Sequence, residues 1–193
     1  MRSVISCVLV ASVTGAVAFP AALRAQDYVA AIKRDCDAGK VEACHEVAGL
    51  YQYGRFGFTK DLPQAARLFE IACNGGVAYS CRSLGQMYRD GQGVPADTAR
   101  ADSLLERTRS LHRRACELGS TTACYGLQGM GGPEAIDARQ RLCDLLDGDA
   151  CLRLGLMYDL GVRGVPKDTA RATVLFKKGC LSGNKDACNL IRR

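Results

Sequence analysis

The chain is poor in histidine: His45 and His112 are the only two in 193 residues. Two isolated imidazoles cannot supply the clustered ligands of a metal-assisted hydrolase. No C-x-x-C occurs either, which removes the common dithiol redox motif and the close ligand pairs of structural zinc. Aromatic residues make up only 6% of the chain, and no basic strip is interleaved with them, so a nucleic-acid partner is not expected. Past the first two dozen residues no apolar run is long enough to span a bilayer, which needs ~20 residues. No cofactor is expected.

The N-terminus differs from the rest. Met1 and Arg2 precede the uncharged run SVISCVLVASVTGAVAF, then PAALRA, and the first acid is Asp27. A basic tip, an apolar stretch and a short small-residue region have the form of a secretory signal peptide. Residues 1–25 are expected to be that leader, with cleavage after Ala25 or at the earlier Ala18. Its loss removes Arg2 and Arg24 and no acid, so the formal charge of +6 becomes +4. The mature chain, 26–193, is expected in the bacterial periplasm or outside the cell, with no transmembrane segment.

That mature chain keeps ten cysteines, and they fall in five identical C-x7-C pairs: Cys36 with Cys44, Cys73 with Cys81, Cys116 with Cys124, Cys143 with Cys151, and Cys180 with Cys188. One spacing used five times in an exported chain predicts five local disulfides. Gly39, Gly76, Gly119 and Gly183 stand three residues after the first cysteine of their pairs, where a helix can end in a left-handed cap. Leu146 breaks that rule, with Gly148 close by. Each pair is therefore a helix end, a tight turn and the next helix start. Closing a nine-residue loop contributes ~2.5 kcal/mol in the chain-entropy treatment, and five bridges on the order of 10 kcal/mol.

Around the pairs the sequence repeats. Cys81…Leu84-Gly85…Tyr88 recurs as Cys151…Leu154-Gly155…Tyr158, and loosely as Cys44…Val47-Ala48…Tyr51. These spacings share one helical face, where Gly or Ala admits a neighbouring helix. This helix, A, ends in glycine-bearing loops that lead to Asp61, Asp97 and Asp168, each placed to cap a second helix, B. The near-identical VPADTARA (94–101) and VPKDTARA (165–172) are this loop and cap. Helix B carries a small residue, Ala65, Ala101, Ala135 or Ala172. Intervals between first cysteines are 37, 43, 27 and 37, so the second unit is lengthened by about two helical turns and the third is curtailed. About ten helices stacked in pairs, without a sheet, are expected. Lys33 and Arg34, Arg113 and Arg114, Arg139 and Arg141, and Lys177 and Lys178 precede a first cysteine, which places them in final turns of B helices where cations suit the dipole.

C-x7-C, L-G-x-x-Y, G-x-G-V-x-x-D and the closing alanine resemble the SEL-one-like repeat, a relative of the tetratricopeptide repeat. A disulfide in every unit narrows the resemblance to its secreted cysteine-rich, Hcp-type branch, often described as β-lactamase-like. The resemblance implies an all-α, right-handed α/α superhelical solenoid with one disulfide per repeat and helix A on the concave side. It also implies one of two functions: a scaffold that binds partners, or a weak β-lactam-binding hydrolase.

The residues favour the first. Ser182-Gly183-Asn184-Lys185 spells S-x-x-K, but neither S-D-N nor K-T-G accompanies it, and it lies within a C-x7-C corner, which makes it a turn. His45 is expected to face solvent or the groove. The A-helix positions left over are His45, Gln52 and Tyr53, then Arg82, Gln86 and Arg89, then Tyr125 and Gln128, then Arg153. Of these, Arg82, Gln86, Arg89, Tyr125 and Arg153 are the binding candidates, because arginines beside amides and tyrosines can hold carboxylates. The expected ligand is a protein, a peptide or a peptidoglycan-like fragment.

Overall fold

The computed structural model describes residues 21–191. The expected leader lies outside the described residues up to position 20. Ten α-helices follow one another: α1 Ala21–Asp37, α2 Val41–Tyr53, α3 Leu62–Asn74, α4 Ala78–Asp90, α5 Thr98–Glu117, α6 Thr121–Met130, α7 Glu134–Asp144, α8 Gly148–Leu160, α9 Thr169–Leu181 and α10 Lys185–Ile191. No strand occurs among the described residues. Each helix packs on its chain neighbours, so the molecule is an α/α solenoid. Even-numbered helices are A helices and odd-numbered ones B helices. Among the described residues the first helix, α1, is B-type and the last, the seven-residue α10, is A-type.

The disulfides follow the C-x7-C pairs. Cys36 bonds Cys44, Cys73 bonds Cys81, Cys116 bonds Cys124, Cys143 bonds Cys151 and Cys180 bonds Cys188, with Cα atoms 4.6–4.7 Å apart in every pair. The first four bridges are buried, Cys124 among their sulfurs, whereas Cys180 and Cys188 are partly exposed at the end of the array. At each corner the backbone closes helix B and opens helix A within three residues. After α3, Gly76 takes φ +96° and the Val77 amide donates to the Ala72 carbonyl at 2.9 Å, the pattern that satisfies the last carbonyls of a helix. Leu146 takes the same left-handed place with φ +66°. The nearby Gly148 serves another purpose: a Cβ there would stand 2.9 Å from that of Asn184 and 3.1 Å from the Gly179 carbonyl oxygen.

Asp61, Asp97 and Asp168 cap α3, α5 and α9, their carboxylates accepting from the amides of Gln64, Arg100 and Arg171 at 2.8–2.9 Å. The lengthened unit is visible as α5, 20 residues against 13 for α3 and α9. The curtailed one has a 10-residue α6 and an 11-residue α7. Ala65, Ala101, Ala135 and Ala172 are all buried.

The cations before the cysteines divide. Arg34, Arg114, Arg141 and Lys178 occupy last turns, but Lys33, Arg113, Arg139 and Lys177 stand earlier. The dipole therefore accounts for only one of each pair. Arg113 bonds Glu134 at 2.9 Å, and Arg139, in the middle of α7, has a different environment described below.

Candidate functional site

On α4 the buried residues Cys81, Leu84, Gly85 and Met87 face the stack, so the same spacing turns Arg82, Gln86 and Arg89 outward. Tyr125 on α6 and Arg153 on α8 are likewise exposed. These five are spread over three consecutive A helices and do not converge on one point. Three have intramolecular partners that reduce their availability: Arg89 Nη2 pairs with Asp102 Oδ1 at 2.9 Å, Gln86 Nε2 donates to Asp90 Oδ2 at 2.9 Å, and the third is Tyr125. The Tyr125 hydroxyl donates to the carboxylate of Asp147, the residue that caps α8. Arg82 and Arg153 have no salt bridge among the described residues.

His45 departs from expectation. It is half-buried, its Nδ1 lies 2.8 Å from Ser80 Oγ, and its ring is tilted over Phe69 at 5.6 Å. It pins α2 to α4 rather than lining an open wall. Burial pushes its pKa down, with Glu46 opposing. His112 is buried against Gly126, where a Cβ would stand 2.7 Å from the ring, and edge-on to Tyr79 at 5.1 Å. Burial and then Arg82 lower its pKa.

Ser182 closes α9, and its hydroxyl donates to the Lys178 carbonyl at 3.0 Å. With Lys185 it rims a shallow open depression. The S-x-x-K thus sits in a turn. A larger cavity of about 500 Å³ lies between α5, α6 and α7, but its charges are of both signs and partly paired with each other, as in Arg113–Glu134.

The third unit holds a group that sequence reasoning assigned elsewhere. A cavity of about 210 Å³ opens between the start of α7 and the α8–α9 loop, with Gln128, Arg139, Met157 and Arg163 among its walls. Arg139 is half-buried there. With the Gln128 amide oxygen turned to the guanidinium, Oε1 accepts from Arg139 Nη2 at 2.9 Å and Nε at 2.7 Å, while Nη1 lies 3.0 Å from Met157 Sδ. Burial, then Arg163 and Arg153, hold its pKa below the ordinary value. The residue four before the first cysteine is Ile32, Phe69, His112, Arg139 and Phe176 in successive units. That column is the missed signal: Arg139 occupies a core position.

The Sel1 repeat family model matches residues 41–77, 78–120 and 148–184. The chain belongs to the Sel1 repeat family. The unmatched stretch between the second and third Sel1 matches, 121–147, is the curtailed unit. The chain is 34% identical over 94 residues to cytochrome c oxidase assembly factor 7 of Xenopus tropicalis, covering 49% of this chain and 39% of that protein. Against the Homo sapiens protein of the same name it is 33% identical over 177 residues, covering 79% and 74%. The chain thus spans well under half the length of the frog relative. Among solved structures, a Sel1 repeat protein from Oxalobacter formigenes superposes with a TM-score of 0.57 at 25% identity, covering 85% of this chain and 47% of that one. No helix among the described residues is long and apolar enough to cross a membrane.

Proposed function

We propose that this Sel1 repeat chain is an exported scaffold that binds a protein or peptide, or a cell-wall fragment, in a concave groove lined by its A helices. The observation that carries the reading is the set of exposed polar side chains, Arg82 and Gln86, Tyr125 and Arg153, on three consecutive A helices held by disulfide-clamped corners. Rigid elements that present arginine and tyrosine suit recognition of partner carboxylates. The name of the vertebrate relatives, an assembly factor, weighs toward a protein partner. Export is supported by five disulfides, which persist in oxidising compartments, and by the leader-like residues 1–25.

The hydrolase alternative has less support, because the only S-x-x-K serine bonds to a backbone carbonyl within a turn. The test is binding of an immobilised peptide and peptidoglycan-fragment panel to oxidised protein, with Arg82→Ala, Tyr125→Ala and Arg153→Ala alone and combined. A groove should lose affinity by several-fold per substitution and progressively in combination, at unchanged helicity. Chromogenic cephalosporin turnover that disappears in Ser182→Ala would replace this reading with the hydrolase.

A further inference from the structure

We propose that the notch of the curtailed third unit is a carboxylate-binding site, in which Arg139 and Arg163 hold an acidic group of a bound peptide. The inference rests on the scaffold reading and specifies where such a partner is anchored.

The argument begins with a substitution of kind. In the fourth unit the helix-A glycine Gly155 receives the ring of Phe176, so closely that a Cβ would stand 2.5 Å from it. In the third unit the corresponding residues are Gln128 and Arg139, and they bond each other instead. A core pair of glycine and phenylalanine has become an amide and a guanidinium. A charge at a core position is unfavourable unless an opposite charge accompanies it. Here the contacts of Arg139 are an amide oxygen and a thioether, both neutral.

The surroundings add positive charge rather than relieving it. Arg163 lines the same cavity from the α8–α9 loop, and Arg153 stands one helical turn before the cavity residue Met157 on α8. No acid lines the cavity. Glu134, which opens α7, is engaged by Arg109 and Arg113 at 3.4 and 2.9 Å. Like charges gathered around a half-buried guanidinium have one economical resolution, an anion between them.

The room for it follows from the shortened unit. Where the first and second units meet, the loop residue Gly93 is pressed against Leu62 at the start of α3, a Cβ there standing 2.4 Å from the Leu62 carbonyl carbon. Two residues after the glycine that ends helix A, Arg163 occupies the same loop position as Gly93. It faces Gly131 and Gly132, the short connection left by the missing residues, and Gly131 has nothing near its missing Cβ. The resulting 210 Å³ suits a carboxyl-sized group rather than a drug-sized ligand, for which ~300–1,000 Å³ is usual. A guanidinium's planar fork matches a carboxylate.

The experiment follows arginine Nε–Hε signals by NMR in oxidised full chain during titration with succinate, with inorganic phosphate, and with two short peptides. One peptide is acetyl-Ala-Ala-Ala with a free terminus, and the other is acetyl-Ala-Ala-Glu with an amidated one. We expect saturable shifts at Arg139 and Arg163 with succinate and with at least one peptide; which peptide responds distinguishes a chain terminus from an acidic side chain. Arg163→Gly should weaken that binding at least tenfold while leaving the fold intact, since Arg163 sits exposed in the left-handed region. Arg139→Gln should abolish it. Phosphate binding without carboxylate binding, no saturable shift, or equal binding by Arg163→Gly would overturn the proposal. Peptide binding that is insensitive to Arg163→Gly but graded across Arg82 and Tyr125 would leave the groove and remove the notch. Succinate binding at the notch with no peptide binding elsewhere would do the reverse.

Discussion

Single residues in this chain show where the repeat is tight and where it is strained. Gly155 is tight: Phe176 occupies the space its side chain would need. Gly155→Ala should therefore destabilise the protein by about 1–3 kcal/mol, the usual cost of overpacking. Chemical unfolding checks this, and a loss below a few tenths would show that the ring can move aside freely. Leu146 is strained, holding φ +66° while two-thirds exposed. Leu146→Gly should raise stability by about 0.5 kcal/mol, since the left-handed cost of ~1–2 kcal/mol exceeds the ~0.5–1 kcal/mol of extra chain entropy that glycine carries. An unchanged or lower melting temperature would contradict it. The two histidines set a pH dependence. Both have folded pKa values lowered by burial, so below about 6.5 the unfolded chain takes up protons that the folded one resists. Stability should be constant above neutrality and fall as pH drops through that value. Melting temperatures between pH 7.5 and 5 measure this, and His45→Gln should flatten the slope; an identical slope would place the dependence elsewhere.

Elements carry the lesson about what could be read from sequence. The helix boundaries were legible because local chemistry fixes them: Asp61, Asp97 and Asp168 accept from the first-turn amides of α3, α5 and α9 as their spacing implied. The disulfide corners were legible for the same reason, since Cys116 and Cys124, like Cys180 and Cys188, are brought together by a turn that lies wholly between them. The lengths of α5 and α6 followed from the cysteine intervals, because each corner counts residues between fixed points. Replacing Asp168 by Ala should cost ~1 kcal/mol, measured by urea unfolding, because its side chain is the acceptor for the Arg171 amide; no loss would mean that α9 is held by packing alone. The environment of Arg139 was not legible from charge patterning. Its neighbours Gln128, Met157 and Arg163 come from three other segments, and only alignment of the units on their cysteines exposes it as a core column. His45 was misjudged for the same reason, because Ser80 and Phe69 reach it from the next two helices.

At the scale of the molecule the ten helices do not share one core. One buried apolar cluster runs from Ile32 through Met87 and another from Cys116 through Phe176. The buried polar residues Thr108 and His112, both on α5, form a polar seam between the two, and Thr108 Oγ1 turns back to the Leu104 carbonyl at 2.9 Å. This seam coincides with α5, the lengthened helix. Every disulfide closes a corner within eight residues of sequence, so none ties one cluster to the other. In a solenoid, cooperativity passes only through neighbouring interfaces, and a polar interface transmits less of it than an apolar one. Oxidised protein should therefore lose amide-exchange protection in two steps as urea rises, with α2 and α3 departing at one concentration and α8 and α9 at another. Thr108→Val, which removes one of the seam's buried polar groups at nearly constant volume, should draw the steps together. Loss of all slow amides at a single concentration would show instead that the α4–α5 interface couples the halves as firmly as either core holds itself.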